Sequence, residues 1–496
     1  MAVSGRAQVQ RPGSKKRKAV LSAMVPGRAQ KPLQAASPKA GSPKAPDLAP
    51  VDPCSVGVDA GMLREYEGAM QEMVKQGAIP GCASVVFVKG QVVHVGSWGY
   101  ADLERGTRFK LDTLCRLYCM TKSYVAITFM TLVDEGRASL EDRLDKYLPA
   151  FANMRVKAQG PTKSVKAESP IRLKHLLSHT SGIDYAPDLS CEPEDDAAAA
   201  YLALQKLVQQ GSVRTLEDFV QRLAKLPLSN HPGKGYYYGY SMDVLARVVE
   251  VIMGKELDQC LRERLFEPLG MHDTLWAVPD SQLHRLAAIY GGPGTWGGLY
   301  GGVEGQAPVT TRNGLLRIDG TCAEESNWRE GQQCSVLSGG GFMGYLKGGL
   351  VSTVADTVRF VRMVMKRGLM ENGQRLLQES TVALMERDRL KLSWGSGRAC
   401  YLGNVGVFRE GEEFGMGGAA CTYWSIDRED DVATVWFTQH VDMPEFDDLK
   451  GVDPAKADLW KLLHAAVRSK TKAGKRKSMV EKGNPPKQRR ISVGKP

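Results

Sequence analysis

Apolar positions along this chain follow two rhythms, helical and alternating, and at both ends the rhythm disappears. From Met62 to Gln76, Leu63, Tyr66, Met70 and Met73/Val74 share one stripe, which predicts an amphipathic helix ended by Pro80-Gly81. Cys82–Val88 and Gln91–Trp98 are β-branched runs on either side of Lys89-Gly90, the pattern of a hairpin. After Val125 the apolar residues Ile127, Phe129, Met130, Leu132 and Val133 are too dense for a solvated helix. They predict a buried helix from near Cys119 to the stop at Gly136. Ile171, Leu173, Leu176 and Leu177 predict a short buried helix, with a turn at Ser181-Gly182. Thr215–Leu226 reads as a helix whose start, Thr215 three residues before Asp218, resembles a capping box. Ser241–Met253, Val354–Lys366, Glu379–Glu386 and Ala455–Arg468 are further helices, and Phe414–Ala420, Thr422–Asp427 and Val432–Gln439 are strands. Residues 184–212, acidic and Ala-rich, predict a partly helical excursion on the surface. In 289–349 the glycines of "YGGPGTWGGLYGGVEGQ" and "SGGGFMGYLKGGL" predict loops that shape a cleft rather than regular elements.

Composition divides the chain into three. Residues 1–55 are rich in Ala, Pro, Lys, Ser and Gln, repeat a Ser-Pro-Lys-Ala unit and lack the apolar area to offset chain entropy. They predict a disordered basic tail, and 469–496 a second; 56–468 is the folded domain. Residues 1–50 and 469–496 each carry +9, so a total of +11 leaves the middle at −7. The pI near 9.0 therefore describes the tails. Lys15-Lys16-Arg17-Lys18 suits nuclear import, a solvated tail or an organelle transit peptide, and Arg489-Arg490-Ile491-Ser492 suits a basophilic kinase. Ten cysteines without a C-x-x-C pair fit neither a zinc site nor a disulfide scaffold, and imply reduced thiols in an intracellular compartment. No apolar run is long enough to span a membrane, and the N-terminus lacks the apolar core of a secretory signal.

The candidate chemistry lies at the start of the buried helix. Cys119 and Lys122 are three residues apart and share a helical face. The helix dipole and the ammonium both favour an anion there. Ser123, four residues on, is a second candidate nucleophile on that face.

The stretch "LYCMTKSYVAITFMTLVDEGRASLEDRLDKYLP" resembles the first active-site motif, Ser-x-x-Lys, of serine β-lactamases, penicillin-binding proteins and β-lactamase-like (class C-type, family VIII) carboxylesterases, with Cys119 where the family carries Ser. "HPGKGYYYGYSMDVLARVVEVIMGKELDQCLRERLFEPLGMHDT" resembles the second, Tyr-x-Asn or Tyr-x-Ser, here Tyr238-Gly239-Tyr240, with Tyr240 in place of a small polar residue. Met416-Gly417-Gly418 stands where β-lactamases carry Lys-Thr-Gly and the esterases Trp-Gly-Gly, and Cys421 where the esterases usually have Gly. The resemblance covers roughly 59–467. It implies an α+β, β-lactamase/DD-peptidase-like fold: an antiparallel sheet flanked by helices, with a mainly helical lobe.

The resemblance further implies acyl transfer from an ester, thioester or amide through a covalent acyl-enzyme, by a hydrolase or acyltransferase without cofactor or metal. Cys119 would attack and Lys122 would hold the thiolate or accept its proton. Tyr238 would pass a proton to the leaving group. The N–H groups of Cys119 and Ala419 would hold the oxyanion, with Gly417 and Gly418 admitting substrate to the strand. Tyr118, Tyr240 and Met416 are candidates for the cleft lining. His179, in a His-Thr-Ser-Gly phrase like the family's, would brace a loop. The missing Lys at 416 argues against β-lactam hydrolysis. Two other readings stand beside the enzyme: a catalytically silent relative binding an acyl or peptide ligand, and a scaffold whose basic tails bind nucleic acid.

Overall fold

The computed structural model describes residues 46–158, 164–185, 193–291, 311–312, 314–331, 336–341, 349–387, 398–405, 413–441 and 462–467. Most of both basic tails, 1–45 and 469–496, lies outside these residues, as do 455–461 and Arg468 of the terminal helix.

An eight-stranded antiparallel sheet forms the frame. Its order is Arg398–Cys400, Gly403–Val405, Phe414–Gly418, Thr422–Asp427, Val432–Phe437, Gly81–Val88, Gln91–Asp102 and Thr107–Arg108. Gly81–Val88 is central and buried along its whole length. Side chains alternate across a strand, so it feeds two cores. Ala83, Val85 and Phe87 face the larger core, with the helices Thr121–Asp134 and Val354–Met365. Cys82, Val86 and Val88 face a second core with Tyr66, Met70 and Met73 of Ala60–Lys75 and with residues 462–467. The hairpin expected at Lys89-Gly90 forms, and both residues have positive φ, 50° and 75°.

Caps set several boundaries. Asp59 accepts the N–H groups of Gly61 and Met62 at the start of Ala60–Lys75. Thr215 accepts Asp218 N–H at the start of Leu216–Leu223, and Thr353 does the same for Asp356. The dense apolar run of Thr121–Asp134 is explained by its place: nearly every side chain on it is buried, Phe129 fully. Truncating Phe129 to alanine would cost about 3–5 kcal/mol.

Two expectations need correction. The Ala-rich excursion contains the helix Asp196–Gln209, which is not a surface decoration, because Tyr201, Leu204 and Val208 join the main core. The Gly-rich region is not all loop. Tyr290–Gly291, Leu315–Arg317 and Thr311–Arg312 form a small sheet with His440–Val441. Its strands are two or three residues long, too short for a readable alternation.

Candidate active site

The turn that carries Cys119 is assembled from both sides. Cys115–Arg116 pairs antiparallel with Val351–Ser352, and Leu117 N–H donates to Leu350 O. The chain then forms a single 3₁₀ turn, Tyr118–Met120, leading into Thr121–Asp134. Cys119, half-buried, sits on this turn rather than in the α-helix. Tyr118 before it has φ +44°, an uncommon backbone state for a bulky residue. Gly341, at φ +69°, packs against this turn: a Cβ there would lie 1.9 Å from Tyr118 O.

The Phe414–Gly418 strand closes the opposite side. A Cβ on Gly418 would lie 2.2 Å from Leu117 O, so only glycine lets the strand approach this closely. Cys421 N–H donates to Gly418 O, a turn that carries half-buried Ala419. Cys421 itself has φ +56°, a left-handed state that glycine adopts without strain.

Lys122 is buried, and its Nζ donates to Gly340 O at 2.5 Å. The same ammonium lies 4.5 Å from the Tyr238 ring centroid and 6.0 Å from that of Tyr185. Burial, then the neighbouring Cys119 charge, raises the Tyr238 pKa well above the ordinary phenol value. Burial likewise pushes Tyr236 up to about 12, with Cys119 adding to the shift. Tyr238 is thus a neutral O–H donor at neutral pH. Cys119, Lys122 and Tyr238 come together in space, as do Gly418 and the Cys119 turn.

Other candidates are placed differently. Tyr240 is buried, packed edge-on against Tyr185 at 4.7 Å and Phe219 at 5.1 Å. Tyr118 packs edge-on against Trp328 at 5.4 Å, in a separate apolar cluster. Ser123 is fully buried and donates its hydroxyl to Leu402 O at 2.6 Å, so it anchors a hairpin and is not presented as a nucleophile. Met416 lines a cavity of about 10 Å³ with Lys122, Tyr238 and His179, close to the room one water needs.

His179 lies nearer the chemistry than its bracing role implied. Its ring tilts over Tyr238 at 4.7 Å, and its Nδ1 accepts Gly239 N–H at 3.5 Å. Burial, then Lys122, lowers its pKa to about 3, which keeps it neutral. Two features were not read from the sequence. Asp243 accepts Ser338 Oγ at 2.7 Å and Gly340 N–H at 3.1 Å, so it fixes the residue whose carbonyl holds Lys122. Arg116, fully buried, is bound by Ala287 O, Asp319 and Ser326. The Asp243 signal was an acid in an otherwise apolar helical start; nothing local marked Arg116. The one metal-like grouping among the described residues, Asp427, Asp430 and His464, involves none of these site residues.

A model of the family described as Beta-lactamase matches residues 67–456. The chain belongs to the Beta-lactamase family. It is 30% identical to Esterase EstB of Burkholderia gladioli over 246 residues, covering 49% of this chain and 58% of that protein. It is also 30% identical to Acyltransferase mokF of Monascus pilosus over 251 residues, covering 46% and 57%. The aligned region thus spans less than two thirds of either relative. Unliganded simvastatin synthase (LovD) from Aspergillus terreus superposes with a TM-score of 0.61 at 21% identity, over 82% of this chain and 98% of that one. The antiparallel sheet flanked by helices is the fold that this likeness shows. Among the described residues no helix is long and apolar enough to cross a membrane.

Proposed function

We propose that the protein is a hydrolase or acyltransferase that forms a thioester with its substrate's acyl group on Cys119. The observation that carries this reading is the Lys122 ammonium 4.5 Å from the Tyr238 ring, a phenol whose pKa burial and then the neighbouring Cys119 charge raise. The names of the two relatives, an esterase and an acyltransferase, agree with it.

The Cys119 thiolate adds to the carbonyl carbon; a C–S bond forms and the π pair moves to oxygen. The Cys119 and Ala419 N–H groups would receive that oxyanion, each donor contributing about 3 kcal/mol. Collapse breaks the bond to the leaving group, which takes the Tyr238 proton. Lys122 stabilises the resulting phenolate. Water, or an acceptor alcohol, then returns a proton to Tyr238 as its oxygen attacks the thioester. An acid or a new ester leaves, and the thiolate is restored. Substrate would be a small ester, thioester or amide. The folded domain is 56–468 in this reading, with the two basic tails outside it.

Incubation with p-nitrophenyl butyrate, quenching and peptide mapping tests the proposal. A butyryl adduct on Cys119 with release of nitrophenol is expected. Turnover that persists in Cys119→Ala, or an adduct on another residue, would overturn it.

A further inference from the structure

Gln439 is fully buried just beyond the Val432–Phe437 strand, and its side-chain amide is used on both faces. Its Oε1 accepts Arg116 N–H at 2.8 Å, and its Nε2 donates to Arg116 O at 3.3 Å. The carboxamide therefore meets the backbone of Arg116 as a peptide group of a neighbouring strand would. The same Nε2 reaches Ala420 O at 3.5 Å and Thr438 O at 2.9 Å. The backbone adds to this: His440 N–H donates to Ala420 O at 3.3 Å, and Tyr290 N–H to Gln439 O at 3.0 Å.

Arg116 lies three residues before Cys119, and Ala420 directly follows Ala419. One amide thus ties the segment carrying one proposed oxyanion donor to the segment carrying the other. Both attachments are to backbone, so they constrain the peptides themselves. We propose that Gln439 is a positioning residue that sets the spacing of the two oxyanion N–H groups. This rests on the acyl-enzyme reading above. The oxyanion must meet both donors at once, and a misplacement of about 1 Å can cost on the order of a hundredfold in rate.

Two reactions at Cys119 separate positioning from general damage. Acylation by an ester passes through an oxyanion. Alkylation by iodoacetamide displaces iodide at a saturated carbon and forms none. In the full-length protein, Gln439→Met keeps side-chain length and removes every side-chain hydrogen bond. It should lower kcat for p-nitrophenyl butyrate by about 10-fold or more, leave KM within about 3-fold and leave the alkylation rate of Cys119 within about 2-fold. Should Gln439→Met not fold, Gln439→Glu keeps the shape and the acceptor while losing the Nε2 donors, and the same split is expected. A kcat within about 3-fold of wild type, or an equal fall in alkylation and turnover, would overturn the inference while the acyl-enzyme reading stands. A wild-type protein that alkylates at Cys119 but never acylates there would remove that reading, and this inference with it.

Discussion

Lys122 and Tyr238 form a cation–π pair, with Nζ 4.5 Å from the ring centroid. The ammonium is also tied to Gly340 O, while burial and then the Cys119 charge raise the pKa of the phenol. In the proposed mechanism Lys122 therefore acts on Cys119 through the tyrosine. It would supply charge that favours a phenolate, and Tyr238 would supply the proton. The division of labour suits sulfur, which ionises without a strong base beside it.

Tyr238→Phe keeps the ring over Lys122 and deletes the hydroxyl. Turnover of ethyl butyrate, whose alkoxide must take a proton to leave, should fall by about 10²–10⁴, the usual range for a lost proton-transfer group. The melting temperature should change little. Unchanged turnover would remove Tyr238 from the mechanism.

Cys119→Ser is expected to be slower than wild type by about 100-fold or more, because a serine needs a base to attack. The neighbouring Tyr238, its pKa raised by burial and then by the Cys119 charge, is a neutral phenol and no such base. Cys119→Ala should be inactive. A faster Cys119→Ser enzyme would show that the site still suits oxygen.

Gly418→Ala tests the approach of strand to Cys119 turn. Its Cβ would lie 2.2 Å from Leu117 O and 2.6 Å from Thr422 Oγ1. Backbone must shift, at a cost of about 1–3 kcal/mol. Urea denaturation should show that loss, and turnover should fall with it.

Asp243 gives a pH dependence with a defined sign. Burial raises its carboxyl pKa to about 6, opposed by Ser338, Gly340 N–H and Lys122. A folded-state pKa above the unfolded value means that its contribution is fully present below about pH 4 and is lost as pH rises through about 6. The loss is on the order of 3 kcal/mol. Asn can keep the bonds at Oδ1 without the charge. The stability of Asp243→Asn minus that of wild type should therefore grow between pH 4 and pH 7, as read by urea unfolding. A difference independent of pH would mean that Asp243 ionises normally.

Long elements were legible because their buried faces repeat. The Ala60–Lys75 stripe, the Lys89-Gly90 hairpin and Ser241–Met253 each carry several apolar residues at one period. The small sheet of Tyr290–Gly291, Thr311–Arg312, Leu315–Arg317 and His440–Val441 was not, since two-residue strands show no period and their pairing is set by partners far along the chain. Residues 196–209 misled because alanines do not declare a face; the buried Tyr201, Leu204 and Val208 do so only once packed.

At the site, sequence alone singled out the candidates for the chemistry, Cys119, Lys122 and Tyr238, through motif order and flanks. It could not decide which of them touch. Lys122 at three residues from Cys119 was compatible with a direct contact, yet its ammonium is held by Gly340, 218 positions away. Ser123 was on a plausible face, yet its hydroxyl is taken by Leu402. Gln439 and Arg116 carried no local signal, and Asp243 only that of an acid in an apolar helical start, because each bonds backbone or side chains brought close only by the fold. Spacing along the chain fixes what shares a helical face over a few residues. Hydrogen-bond partners of buried polar groups are chosen across the core, where every such group must be satisfied and any part of the chain can supply the match.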